Sequence, residues 1–412
     1  MMTPPTACRS CGQNGLVSVL DLGRMPLANA LLRANQVSGP EPAYPLELAF
    51  CPFCSLAQLT ETVPPETLFG HYVYFSSFAQ TMLDHARALA DELIAIERLG
   101  PDSLVVEAAS NDGYLLQFYR DVGVPVLGIE PARNIAEVAR SQRGIPTLAE
   151  FFGEALGHRL REEGRRADVF HAHNVLAHVA DLNGFVAGIR LVLQDTGMAV
   201  VEVPYVKDLL DHCEFDTIYH EHLCYFSLLA LDELFRRHGL LIHDVQRVPI
   251  HGGSLRLYAS PVEQARPRSI AVAALLREER DWGADRANCY LALAERVRVL
   301  RDSLRGLLGR LKGQGKRLAA YGASAKGSTL LNYCGIGRET LDFVADRSTV
   351  KQGLFTPGTH LPICPPEKLL EEMPDYLLLL TWNFADEIMR QQEEYRRKGG
   401  QFITPIPYPK VA

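Results

Sequence analysis

Twice along this chain a short apolar run ends in a turn of small residues, opens a helix, and returns as a second apolar run closing on an acid. The first unit is Leu104-Val105-Val106-Glu107, the turn Ala108-Ala109-Ser110-Asn111-Asp112-Gly113, a helix over 114–120, and Val126-Leu127-Gly128-Ile129-Glu130. The second is Arg317-Leu318-Ala319-Ala320-Tyr321, the turn Gly322-Ala323-Ser324-Ala325-Lys326-Gly327-Ser328, a helix from Thr329, and Leu341-Asp342-Phe343-Val344-Ala345-Asp346. Both are βαβ patterns, so the fold class is α/β, with mostly parallel sheets flanked by helices. At 412 residues the chain is too long for one core, and three segments are expected: 1–65, 66–265 and 266–412.

The two turns differ in chemistry. In the first only Gly113 is glycine, so it lacks the GxGxxG spacing of a pyrophosphate cradle and suits a nucleoside without phosphates. Glu130 is placed to accept both hydroxyls of a ribose, and S-adenosylmethionine is the ligand of that description. The second turn sets hydroxyls and Lys326 at a helix start, where free N–H groups and the dipole favour a phosphate or diphosphate. A nucleotide-activated small molecule would then lie between the two units. Strands are also expected at 168–174, 198–204, 376–382 and 402–406, with a helix at 385–397 and one long helical connector over 270–311. Ligands of open parallel sheets sit at the carboxyl ends of the strands, which places Glu107, Glu130, Asn174 and His178 on one rim.

The first segment carries Cys8-Arg-Ser-Cys11-Gly and Cys51-Pro-Phe-Cys54, two CxxC knuckles about forty residues apart. Four thiolates can hold zinc tetrahedrally, replacing a core that so short a segment cannot build. With all four positions taken by sulfur, such an ion is structural. The other five cysteines are scattered and read as small buried hydrophobes. Nine cysteines without a secretory signal imply a reducing cytoplasm. A net charge of -7, without basic patches interleaved by aromatics, argues against nucleic acid as a partner. No uncharged apolar run approaches the roughly 18 residues of a membrane span.

Tyr219, His220, Glu221 and His222 then pack a phenol, two imidazoles and a carboxylate into four positions. His titrates nearest neutral pH, and a neighbouring acid or phenol can set its tautomer. The two histidines lack a third ligand at metal-site spacing, so the cluster reads as an acid/base centre. Methyl transfer to carbon needs a stabilised carbanion, and a proton next to a ketone suffices if a base removes it while donors hold the enolate oxygen. His222 is the expected base, oriented by Glu221, with Tyr219 and His178 as donors and His220 unassigned.

At this point the motifs show a likeness. Cys8-Arg-Ser-Cys11-Gly, Leu20-Asp-Leu-Gly and Pro26-Leu-Ala-Asn29-Ala resemble the N-terminal zinc domain of nucleotide-sugar C-methyltransferases from deoxysugar pathways. Glu107-Ala-Ala-Ser-Asn-Asp-Gly-Tyr-Leu-Leu116, Gly128-Ile-Glu-Pro-Ala132, Tyr219-His-Glu-His222 and Tyr225-Phe-Ser227 are similar to that family's central domain. Tyr321-Gly-Ala-Ser-Ala-Lys-Gly327, Leu331-Asn-Tyr333, Lys351-Gln-Gly353 and Trp382-Asn-Phe-Ala385 resemble its C-terminal domain.

The resemblance implies a small zinc-binding domain, a central Rossmann-like class I methyltransferase domain and a second Rossmann-like, substrate-binding domain. It implies methylation at C3 of a dTDP-linked 4-keto-deoxyhexose by a cytoplasmic monomer of antibiotic deoxysugar biosynthesis, with C5 or oxygen as the alternative target. It carries the base role to His222, with Tyr219, Glu221, His178 and Tyr74 beside it. The cofactor set it implies is Glu107, Ser110, Asn111, Asp112, Gly113, Tyr114, Glu130, Asn134 and Asn174. Substrate contacts would come from Tyr72, Tyr225, Ser254, Arg256, Tyr321, Ser324, Lys326, Asn332, Asp346 and Lys351.

Overall fold

The computed structural model describes residues 7–69, 76–78, 80–250 and 252–412; Tyr72, Tyr74 and His251 lie outside them. The first unit folds where its apolar run predicts. The strand Val105–Ala108 is buried on both faces and pairs in parallel with Val126–Ile129 and Ala167–His173. These sit in a seven-stranded sheet whose order is Leu240–Val248, Ser254–Pro261, Leu193–Pro204, Ala167–His173, Val105–Ala108, Val126–Ile129 and Thr147–Leu148. Its first two strands form an antiparallel hairpin, and Ser254–Pro261 also runs antiparallel to Leu193–Pro204. Gly252-Gly253, both at positive φ, turn the chain between those two strands.

The second unit builds a sheet ordered Ile363–Cys364, Val344–Ala345, Leu318–Tyr321, Tyr376–Leu379, Gln401–Thr404 and Lys410–Val411, parallel except for its last strand. The expected strand at 341–346 contracts to Val344–Ala345, and the helix at 385–397 divides into Ala385–Gln391 and Glu393–Arg397. The 270–311 connector is likewise two helices, Ile270–Trp282 and Ala287–Gly313. Gly283 ends the first at φ +92°, a left-handed conformation that stops a helix and that glycine adopts without penalty.

The first segment forms an antiparallel sheet of Val17–Met25, Tyr44–Phe50, Ala57–Leu59 and Cys224–Tyr225. Its fourth strand belongs to the central segment and begins two residues after His222, so this sheet grips the Tyr219–His222 loop directly. Phe50 packs its ring on Tyr290 of the connector at 4.6 Å, which ties the same sheet to the third segment. Among the described residues no helix is long and apolar enough to cross a membrane.

Candidate active site

The turn after Val105–Ala108 winds through positive φ at Ala109 (52°), Asn111 (49°) and Gly113 (79°). Such a winding turns successive backbone N–H groups toward one side. The Asn111 N–H reaches Glu130 Oε2 at 3.0 Å, and the Ala132 N–H reaches Glu130 Oε1 at 2.8 Å. Each Glu130 oxygen therefore already has one donor and keeps capacity for a hydroxyl; burial pushes its pKa up to about 7. Asp112 is held by the hydroxyl of Ser77 and by Arg143, and Asn111 Oδ1 accepts the Ser76 N–H. Tyr114 is buried beside them, and Asn134 lies in the first turn of the helix Arg133–Arg143.

Glu107 is different. It is fully buried, and neither carboxylate oxygen has a partner. Burial first, then the charges of Glu130, Asp112 and Glu202, push its pKa well above the carboxylate range. The Ser110 hydroxyl and Asn174 Oδ1 are also buried and unpartnered. Buried polar atoms are rarely left unsatisfied, so these orphans fit a ligand bearing donors. Gly113 cannot be replaced cheaply here, because an added Cβ would stand 2.7 Å from Ile145 Cγ1 at a φ suited to glycine. Gly113→Ala is expected to cost about 1–3 kcal/mol, read by chemical denaturation, and to weaken S-adenosylmethionine binding, read by calorimetry.

The Tyr219–His222 loop faces this rim. His222 Nδ1 lies 2.9 Å from the Thr217 carbonyl oxygen. A carbonyl only accepts, so Nδ1 carries the hydrogen and Nε2 keeps its lone pair. The Tyr219 hydroxyl then donates to Nε2 at 2.9 Å. His178, on the turn Leu176–His178, meets the His222 ring edge-on at 4.8 Å. Burial draws the His178 pKa down to about 4, so this imidazole is neutral at pH 7. Tyr225 completes the group, its ring 6.5 Å from that of His222.

One expectation about this cluster changes. Glu221 does not orient His222: its Oε1 accepts the Asn29 amide at 2.6 Å, 192 residues away in the chain, and burial pushes its pKa up to about 7. The Thr217 carbonyl takes the orienting role. His220 turns away, donating from Nε2 to the Pro45 carbonyl at 3.1 Å beside the Tyr44 ring, which gives it a structural place.

The substrate contacts divide. Ser254 is buried and donates to the Ile250 carbonyl. Arg256 is also buried: it bonds Glu202 at 2.6 Å and approaches His85 at 3.0 Å. Glu202 in turn holds His85 at 2.9 Å and faces His173 at 3.7 Å. A guanidinium so committed is a sheet-internal counterion and not a free substrate ligand. Asp346 accepts the Ala323 and Ser348 N–H groups, Lys351 donates to the Ala323 carbonyl, and Asn332 donates to Ser328 and Pro357 carbonyls. These three shape the second turn from within. Ser324 caps its helix by accepting the Gly327 N–H, and the Tyr321 hydroxyl is 3.4 Å from the Gln392 amide. Lys326 differs from all of these: its Nζ is buried without a partner, 5.2 Å over the Trp382 ring.

The four cysteines converge. Cys8, Cys11, Cys51 and Cys54 place all four sulfurs within 4.8 Å of one another, with Cys8–Cys54 and Cys11–Cys51 at 3.5 Å. A tetrahedron of ~2.3 Å Zn–S bonds sets its sulfurs ~3.8 Å apart, so the cluster has the right size. The neighbouring Cys54 sulfur lowers the pKa of the Cys8 thiol, which favours a thiolate there.

Three family models cover nearly the whole chain: a zinc binding domain over 8–69, a methyltransferase domain over 81–245, and a C-methyltransferase C-terminal domain over 249–407. The C-methyltransferase NovU of Streptomyces niveus is 38% identical over 413 aligned positions, covering 100% of this chain and 98% of that protein. The chain belongs to the C-methyltransferase family. It is accordingly an S-adenosylmethionine-dependent C-methyltransferase with a Rossmann-like methyltransferase fold. Solved structures overlap less of this C-methyltransferase. The Haloferax volcanii methyltransferase complexed with its activator Trm112 is 16% identical, with a TM-score of 0.36 over 46% of this chain and 93% of that chain. The glycopeptide N-methyltransferase MtfA bound to S-adenosylmethionine is 14% identical, with a TM-score of 0.34 over 43% and 94%.

Three contributors to the C-methyltransferase's site are not apparent from its sequence. Thr217 acts through a backbone oxygen, which carries no side-chain signal. Asn29 stands in the Pro26-Leu-Ala-Asn29 motif, but nothing local reveals Glu221 as its partner. His85 looks like an ordinary helical histidine until Glu202 and Arg256 meet it.

Proposed function

We propose that this enzyme methylates C3 of a dTDP-linked 4-keto-deoxysugar in antibiotic sugar biosynthesis, through an enolate formed by His222. The observation that carries this reading is the fixed tautomer of His222, with Nδ1–H on the Thr217 carbonyl and a basic Nε2 facing a phenol. When substrate enters, the Tyr219 hydroxyl leaves Nε2 and turns to the C4 oxygen. Nε2 takes the C3 proton, the electron pair moves toward that oxygen, and Tyr219 with neutral His178 steadies the developing charge. S-adenosylmethionine, when bound, supplies the electrophilic methyl group. Glu130 would hold its ribose, while Glu107, Ser110 and Asn174 offer the unmatched polar atoms.

Lys326 is the residue of the second βαβ unit that this reading assigns to the diphosphate, because its ammonium is buried without a carboxylate in contact. Cys8, Cys11, Cys51 and Cys54 would hold a structural zinc. The working units are 1–65 for zinc, 66–265 for the methyl donor and 266–412 for the nucleotide sugar. Attack at C5 or at oxygen is the competing outcome. Mass spectrometry and NMR of products from a panel of dTDP-4-keto sugars test the assignment. A new methyl carbon on C3 supports it; a methyl on C5 moves the target, and an O-methyl ether removes the enolate.

A further inference from the structure

The turn that orients His222 is held from outside the central segment. Phe215, Asp216 and Thr217 form one 3-10 turn. Thr217 gives its carbonyl to His222 Nδ1 and, at 3.5 Å, to the Tyr225 hydroxyl. The residue before it, Asp216, has no exposed surface, and its Oδ2 accepts the Trp382 Nε1–H at 2.7 Å. Trp382 opens the turn Trp382–Phe384 just beyond the strand Tyr376–Leu379, in the third segment. Phe215 meets Tyr333 of the helix Ala325–Cys334 edge-on at 5.3 Å. Two consecutive residues are thus gripped by the third segment, and the next one grips the base.

We propose that Trp382 and Asp216 are positioning residues that couple seating of the third segment to the orientation of His222, through the Thr217 carbonyl. The inference rests on the reading of His222 as the base. An apolar contact would join two segments at less cost than a buried carboxylate, whose desolvation must be offset by hydrogen bonds and charge. Here the Trp382 indole is the side chain that donates to Asp216, and the Lys326 ammonium supplies compensating positive charge. A costly group at this place makes sense if the register of the turn matters. The Trp382–Asp216 hydrogen bond fixes that register: a buried acceptor has few alternative donors. Seating of the third segment and presentation of a basic Nε2 then occur together, so proton abstraction is favoured only when the sugar-binding segment is docked.

Trp382→Phe keeps a large ring and deletes the N–H, Asp216→Ala deletes the acceptor, and Asp216→Asn keeps an oxygen acceptor. The first two are expected to lower kcat roughly tenfold or more, with the KM for S-adenosylmethionine unchanged. Solvent-deuterium exchange at the substrate carbon should slow in parallel. Asp216→Asn is expected to stay within about threefold of the parent enzyme, since its amide oxygen still accepts the indole N–H. If Asp216→Ala does not fold, Trp382→Phe carries the test alone. Unchanged kcat and exchange in a folded Trp382→Phe enzyme would overturn the proposal, as would an Asp216→Asn enzyme as slow as Trp382→Phe. His222→Ala run alongside separates the two failures: normal exchange there removes the base itself, whereas its loss with an unaffected Trp382→Phe removes only the coupling.

Discussion

His222→Ala is expected to slow turnover by at least about a hundredfold, the lower end for loss of a general base, while S-adenosylmethionine binding stays near the parent value. The split follows from where the groups lie. On the proposed reading the donor would bind at the turn after Val105–Ala108 and at Glu130. Among the described residues His222 contacts Thr217, Tyr219, His178 and Tyr225. Single-turnover kinetics with calorimetric titration of the donor checks both halves. A variant that keeps turnover would take the base role away from His222.

Loss of the zinc that the four cysteines would hold should have the broadest effect. Structural zinc contributes on the order of 10–16 kcal/mol to small zinc domains, more than the whole stability of a typical domain. Cys51→Ser, or treatment with a strong chelator, is therefore expected to melt the sheet Val17–Met25, Tyr44–Phe50 and Ala57–Leu59. The loss would not stay local. Ala57 and Gln58 pair with Tyr225 and Cys224, the Leu59 N–H donates to the Leu223 carbonyl, and Asn29 holds Glu221. The loop carrying His222 would lose its outer support, so activity and zinc content should fall together. Circular dichroism, metal analysis and turnover measured on one sample check this. A folded, active, zinc-free variant would contradict it.

The parts of the architecture that were legible in the sequence rest on residue types at fixed spacing. Two apolar runs ending in small-residue turns announce the two parallel sheets, and paired CxxC knuckles announce a four-sulfur cluster. The Tyr219–His222 cluster stands out through the density of its titratable groups alone. Other features depend on partners that no local pattern encodes. Cys224–Tyr225 is too short to signal a strand, and only the waiting edge of Ala57–Leu59 makes it one. The resemblance makes Arg256 a substrate contact, yet Glu202, opposite it in the antiparallel register, claims its charge. Glu221 and His222 are neighbours in sequence, but their side chains diverge, one to Asn29 and the other to Thr217. Apolar periodicity runs almost unbroken through 270–311, and the interruption depends on the left-handed backbone of Gly283.

The central claim, carbon-acid chemistry with His222 as base, is tested most directly by hydrogen exchange in D2O without S-adenosylmethionine. The enzyme is incubated with a dTDP-4-keto sugar, and deuterium at the carbon beside the ketone is followed by NMR. Wash-in with the parent enzyme and its loss in His222→Ala is the predicted result. No wash-in with the parent enzyme, together with methyl transfer to oxygen when the donor is added, would contradict the account.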